Sequence, residues 1–329
     1  MDLKDNIISQ YSVDPNVARN LSHSTITAPT MEAITPRWLL TFLPWVSVEA
    51  GVYRVNQVKR RNYDSSMEVM ENPEMLPRVI SDNLRERELP ETFADYEEVP
   101  RECILSVVQT ILRMNSHVTD IFNSPLDQQE QEMRLTIEAM KERQEWEIIN
   151  NENFGLLHSI SPRMRVSSRY GIPIPDDMDE LLSRVWKKPS FFLAHPRAIA
   201  AFGRECTRRG VPPTTVNIYG SPFLTWRGVP IIPCDKLLID GKTCNMSPTG
   251  KTNILLMRVG EREQGVIGLH QPGIPDEGNI PSLSVKYAGI DNKGIASYIM
   301  SLYFGTVVLA DDALGVLENV EVGYYYDYA

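Results

Sequence analysis

At 329 residues, with 42% hydrophobic and 23% charged side chains, the chain has the make-up of an ordered globular protein large enough for one big core or two smaller ones. A formal net charge of −10 argues against a protein that works by neutralising phosphate, because nucleic-acid affinity comes mainly from clustered Lys and Arg. Cys103, Cys206, Cys234 and Cys244 form no CxxC pair, so neither a zinc ribbon nor a disulfide framework is expected, and reduced thiols in a cytoplasmic protein are.

In chain order, residues 1–34 are polar, show no sustained period of 2 or 3.6, and do not start with a charged and then apolar leader. They read as an arm without a core of its own. The next segment, TPRWLLTFLPWVSVEAGVYRVN (35–56), holds Trp38 and Trp45, two of the five Trp residues. That aromatic load needs a surface to be buried against. Its run WLLTFLPWV and the later YIMSLYFGTVVLA (298–310) fall short of the roughly 18 apolar residues of a membrane span. No span is expected, and both runs read as core or interface elements.

Charge then separates into blocks. Arg54, Lys59, Arg60 and Arg61 form a basic patch, whereas 64–100 carries 11 acidic and 3 basic residues. A solvated loop of mixed charge accounts for this, and so does an extended two-stranded loop pairing with other subunits. A segment of about 40 residues with little periodicity is long for a passive connector, which favours an exposed interaction element.

The spacing predicts a long helix over 125–151. Ser124 suits the N-cap, Pro125 the first position, and Leu126, Met133, Ile137, Met140 and Ile148 keep one apolar stripe. The acidic residues of this helix alternate with basic ones and read as its solvated face. A shorter helix is expected over 176–187, ended by Pro189, then a buried strand FFLA (191–194) and a helix over 195–210 stopped by Gly210, Pro212 and Pro213. TVNIYG, FLTWRGVPIIP, TNILLMRVG, GVIGLHQP and SLSVKYAGI read as short strands between turns. A helical first half and a strand-rich second half give an α+β class and not a repeating βαβ sheet. From Gly294 onwards the last 36 residues contain no Lys or Arg and five acids.

Chemistry is hard to find in this pattern. His195, in HPR at 195–197, is either a general base or a helix-capping histidine, and capping is the simpler reading. His23, His117, His158 and His270 stand far apart, with no Cys or acidic pair at ligand spacing, so no metal site is read from the sequence. GxGxxG, GxSxG and HExxH are absent, and SPTGKT (247–252) lacks the upstream glycine of a phosphate-binding loop. No catalytic residue and no cofactor are assigned. What stands out is surface for assembly.

Laid end to end, TPRWLLTFLPWVSVEAGVYRVN, RERELPETFADYEEVPRE, DQQEQEMRLTIEAMKERQEWEIIN, VWKKPSFFLAHPRAIAAFGRECTRRGVPP, TWRGVPIIPCDK and TNILLMRVGEREQGVIGLHQPG resemble the family 2A encapsulin shell proteins. The resemblance implies the Hong Kong 97 phage capsid fold and self-association into a closed icosahedral shell of about 60 copies, the smallest such assembly. It implies a cysteine desulfurase as enclosed cargo, a link to sulfur storage or limitation, and a cytoplasmic nanocompartment. Mapped onto the chain, residues 1–50 correspond to the N-terminal arm, 51–100 to the E-loop, 101–190 with 285–329 to the P-domain, and 191–284 to the A-domain. LADDALGVLENVEV (309–322) resembles the closing strand pair of such subunits.

The loop after the first A-domain helix gathers at the five-fold axis in that family. This points to Arg208, Arg209, Gly210, Val211, Pro212, Pro213 and Thr214 as pore-lining, with the arginines favouring anions. A plain surface turn at a helix end is the competing reading. Residues 60–83 look longer than the family's E-loop, and CNMSPTG (244–250) looks inserted. A phage-type major capsid protein and an oligomeric enzyme with a site near His195 are the rival functions.

Overall fold

A computed structural model describes residues 35–49, 51–55, 100–115, 128–240, 250–272 and 282–323. The arm before residue 35, the long 60–83 segment, Cys244 and the aromatic tail after residue 323 lie outside the described residues, as do Ser124 and Pro125. The chain divides into two compact units, Val52–Ile104 and the remainder. In the smaller, β2 (Val52–Val55) and β3 (Arg101–Ile104) pair antiparallel, with Tyr53 opposite Cys103. An exposed Arg54–Glu102 ion pair at 2.9 Å crosses them and adds little in water.

Among the described residues the larger unit contains two sheets. The five-stranded sheet is organised by β13 (Ile295–Val308), a 14-residue strand that pairs β4 (Ser106–Asn115) and β12 (Leu283–Ile290) along its first part and β11 (Val266–His270) along its last. Strand β1 (Trp45–Ser47) adds to β11 in parallel. The helix read at 125–151 is described from Gln128 to Asn150, 23 residues and about 35 Å long. This helix, α2, packs on β4 and β13. Its apolar stripe is only partly the buried one: Met140, Ile148 and Ile149 are buried, but so are Gln144 and Glu145.

The seven-stranded sheet runs β5 (Arg165–Ser167), β14 (Leu314–Glu321), β10 (Lys251–Met257), β6 (Phe191–Ala194), β9 (Val229–Pro233), β8 (Ser221–Trp226), β7 (Thr214–Ile218). All four residues of β6 are buried between β10 and β9, as an unbroken apolar run requires. Helices α3 (Pro175–Arg184) and α4 (Pro196–Arg208) both pack on β14. The shorter helix stops before Pro189 because Val185 already leaves the helical region, at ψ 47.

Residues 309–322 differ from the expected strand pair. They form one turn, Asp311–Ala313, and one strand, β14, which lies in the seven-stranded sheet while β13 lies in the five-stranded one. The reason is a polar knot at the turn. Arg258, 3% exposed, donates to Asp312 at 2.7 Å and to the carbonyls of Lys187 and Gln264, while Lys187 Nζ reaches Asp312 at 2.6 Å. The sheets also draw from both sides of residue 285, since β11 and β13 share the five-stranded sheet and β10 and β14 the seven-stranded one.

The aromatic segment after the arm finds its surface within the same chain. It forms α1 (Trp38–Phe42) and then β1. Trp38 meets Phe223 edge-on at 5.1 Å, Phe42 meets Phe191 and Tyr219 at 5.6 and 5.5 Å, and Leu39 and Leu43 are fully buried. Trp45 donates its indole N–H to the Leu40 carbonyl at 3.0 Å and lies flat over Gly268. A Cβ at residue 268 would stand 2.7 Å from the indole.

Two tests follow from these contacts. Gly268→Val should displace Trp45, unpair β1 and lower the stability of the subunit by about 2 kcal/mol, seen in chemical denaturation. For Asp312, burial raises the carboxyl pKa, but the bonds to Lys187 and Arg258 overcome it and hold the group below its ordinary value. A depressed acid contributes stability above its unfolded pKa of about 3.9 and loses it as pH falls through the folded value. Asp312→Asn should therefore cost about 2 kcal/mol at pH 7, leaving Arg258 without its carboxylate, and progressively less as pH falls through the folded pKa of Asp312.

Candidate functional site

Helix α4 carries the sequence-derived candidates at its two ends. At its start, Nδ1 of His195 accepts the backbone N–H of Arg197 at 3.1 Å, and Pro196 takes the first position. The acceptor role puts the ring proton on Nε2, and burial and Arg197 push the imidazole below its ordinary pKa. The histidine caps the helix, as the simpler reading had it.

At the far end the chain turns through a hydrogen-bonded stop. Val211 donates to the Cys206 carbonyl at 2.9 Å and Gly210 to Thr207 at 3.1 Å, with Gly210 at φ 72. This is the paired-bond C-terminal motif in which the left-handed residue is preferably glycine. Arg208, Arg209, Val211, Pro212 and Thr214 are exposed and Pro213 is half-buried. Strand β7 then runs along the sheet edge with Thr214, Thr215, Val216 and Asn217 exposed, both faces included.

The two arginines are not free charges. Glu205, 1% exposed, accepts from Arg208 at 2.8 Å and from Arg209 at 2.6 Å, and Arg209 also reaches Asp176 at 3.4 Å. Two guanidinium groups thus stand against two carboxylates. The sequence offered the cations at this turn but gave no sign that Glu205, one helical turn upstream, would be buried beneath them.

A second polar cluster lies where α2 meets the N-terminal segment and the turn after β9. The expected solvated face of the helix is here contradicted. Glu138 and Glu142 face Arg37 at 2.5 and 3.7 Å, Thr35 also donates to Glu142, and Lys236 bridges Glu142 at 2.6 Å and Asp235 at 2.8 Å. Burial raises the Glu142 carboxyl pKa, but its bonds to Lys236 and Thr35 hold it below the ordinary value. Glu145, 1% exposed, accepts the backbone N–H of Leu39, and burial pushes its pKa up to about 7. Cys234 lies beside it, its thiol also pushed up by burial. Glu138, Glu142 and Glu145 follow one another at the 4 and 3 spacing of an inward stripe, and that spacing was the available signal.

The family question is decided by likeness along the whole chain. Residues 63–324 match the family of type 2A encapsulin shell proteins described as SrpI-like. The chain is 52% identical over 319 residues to the type 2A encapsulin shell protein SrpI of Synechococcus elongatus, covering 97% of each. It belongs to the type 2A encapsulin shell protein family. Its fold also matches the holo-SrpI encapsulin complex solved from that organism, at TM-score 0.78 and 48% identity over 97% of this chain and 99% of that one. A Microbacterium phage protein matches at TM-score 0.57 and 10% identity, over 96% and 99% of the two chains. That second likeness concerns fold alone, and it agrees with the capsid-like architecture expected from sequence.

In an encapsulin subunit the α4 end is therefore a capped, charge-balanced turn leading to an open strand edge. Glu205→Gln should leave Arg208 and Arg209 without their shared carboxylate and cost about 2 kcal/mol. Amide hydrogen exchange over residues 208–214 should quicken in the same variant if Glu205 is what holds the turn.

Proposed function

We propose that the chain is the subunit of a closed icosahedral shell of about 60 copies, the smallest such assembly, lying in the cytoplasm and enclosing an enzyme. The cargo on this reading is a cysteine desulfurase, and the compartment serves sulfur storage or sulfur metabolism. Enclosure is the function, and no residue of the subunit is given a catalytic role. The observation that carries the shell assignment is the agreement with the holo-SrpI encapsulin complex in both sequence and fold over nearly the full chain. The desulfurase and the sulfur link rest on the family resemblance.

The division into arm (1–50), E-loop (51–100), P-domain (101–190 with 285–329) and A-domain (191–284) is part of the same proposal. So is a pore lined by residues 208–214. Its support is local: an exposed turn stiffened by Pro212 and Pro213 and fixed by two backbone bonds. With Arg208 and Arg209 each matched to a carboxylate, such a rim is close to neutral, and its preference for anions is weak.

Native particles purified from their source and imaged by electron microscopy should be closed shells with residues 208–214 around the five-fold axes. Dimers or hexamers without closed particles would overturn the shell reading, and a rim built from other residues would overturn the pore. Mass spectrometry of the enclosed protein should identify a cysteine desulfurase. Any other cargo removes the sulfur assignment and leaves the shell standing.

A further inference from the structure

We propose that Glu145, Cys234 and Asp235 form a binding site for one thiophilic divalent cation of the zinc class, with water at the fourth position. The residues come from two places 89 positions apart in sequence, the C-terminal part of α2 and the turn that follows β9. A carboxylate oxygen of Glu145, the Cys234 sulfur and a carboxylate oxygen of Asp235 lie within 4.8 Å of one another. Tetrahedral zinc, with ligands at roughly 2.0 to 2.3 Å, needs them about 3.5 Å apart, so a small closure completes the geometry.

An acidic pair beside a cysteine would not by itself mark a site. The deciding feature is Glu145, 99% buried by its 1% exposure, whose Oε1 has no hydrogen-bond partner. A buried oxygen of this kind costs about 1–3 kcal/mol unless something meets it. Its other bonding capacity is used by the Leu39 N–H. A cation on the free side is the ligand that suits both this oxygen and the neighbouring sulfur.

The surroundings fit the charge. Cation binding removes the Cys234 proton and the Glu145 proton to solvent, leaving one thiolate and two carboxylates against the divalent ion. Lys236 need not be displaced, because it contacts Oδ2 of Asp235, and a carboxylate has a second oxygen to offer. Glu142 shares the same lysine at 2.6 Å, a supporting contact around the ligands of the type that tunes metal affinity. Asp235 is about half exposed, which gives an entry path and room for water. The ion would join α2, the N-terminal segment held through Leu39, and the turn after β9. This lies outside the shell and cargo assignments and depends on neither.

Assembled shells stripped with a chelator and then titrated with cobalt(II) provide the test. Wild-type shells should retain about one cobalt per subunit after desalting and show a sulfur-to-cobalt charge-transfer band that zinc abolishes. Cys234→Ser should lose the band, Glu145→Gln should bind at least about tenfold more weakly, and Cys206→Ala should behave as wild type. Bound cation should also raise the unfolding temperature of wild type but not of Cys234→Ser. No retained cobalt in wild-type shells, or a sulfur band that survives Cys234→Ser, overturns the site. The wild-type titration decides the matter even if a variant fails to assemble, and closed particles in microscopy score the shell separately.

Discussion

Everything in the larger unit hangs on one strand having three partners. Strand β13 must present its first ten residues to β4 and most of them to β12, and still have Phe304 to Val308 left for β11. A strand of ordinary length, about 5–6 residues, could not do this. Its 14 residues fix where β11 lies, and β11 in turn fixes β1 and the Trp45 contact at Gly268. Helix α2 packs on the same strand. The absence of Lys and Arg beyond Gly294 fits this burden, since a strand flanked along its length has few positions where a cation reaches water.

The second dependence is on how the chain leaves that strand. A direct hairpin would keep β13 and β14 side by side. Instead the turn at Asp311–Ala313 is held by Arg258 and Lys187, and the chain crosses to pair with β10 and β5. Arg258 is almost wholly buried, and a buried guanidinium is tolerable only when its donors are met. Here a carboxylate and two carbonyls meet its two terminal nitrogens, while Nε is left without a partner.

Helices and strands were legible where their reasons are local. Pro196 and His195 start α4, Gly210 stops it, and FFLA is a strand buried on all four positions, each as the sequence indicates. The capsid-like fold was legible as well, through resemblance over much of the chain and not through any motif. What escaped was tertiary. A charge-rich helix such as α2 looks wet from its sequence because its counter-ions, Arg37 and Lys236, come from distant segments. Glu145 is the extreme case, an acid at an inward position whose partner is a backbone N–H. Cys234 and Asp235 carry no ligand spacing with Glu145 in sequence, and only the packing of α2 against the turn after β9 brings them together.

Strand β7 is the element of the larger sheet that its own subunit covers least. A strand gains most of its stability from burying at least one face, and β7 is exposed on both along four of its five residues. Among the described residues its hydrogen-bonded neighbour is β8, with Thr214 and Thr225 joined by their hydroxyls at 2.6 Å. In a monomeric enzyme such an edge would be shielded by charge or shortened. Here Val216 and the adjoining Tyr219, 69% exposed, leave apolar surface on it. The glycine stop at Gly210 and the Glu205 carboxylate hold the start of this edge from within the chain, so the turn is ordered by the chain's own contacts. A turn fixed in this way has little conformational entropy left to lose in any later contact.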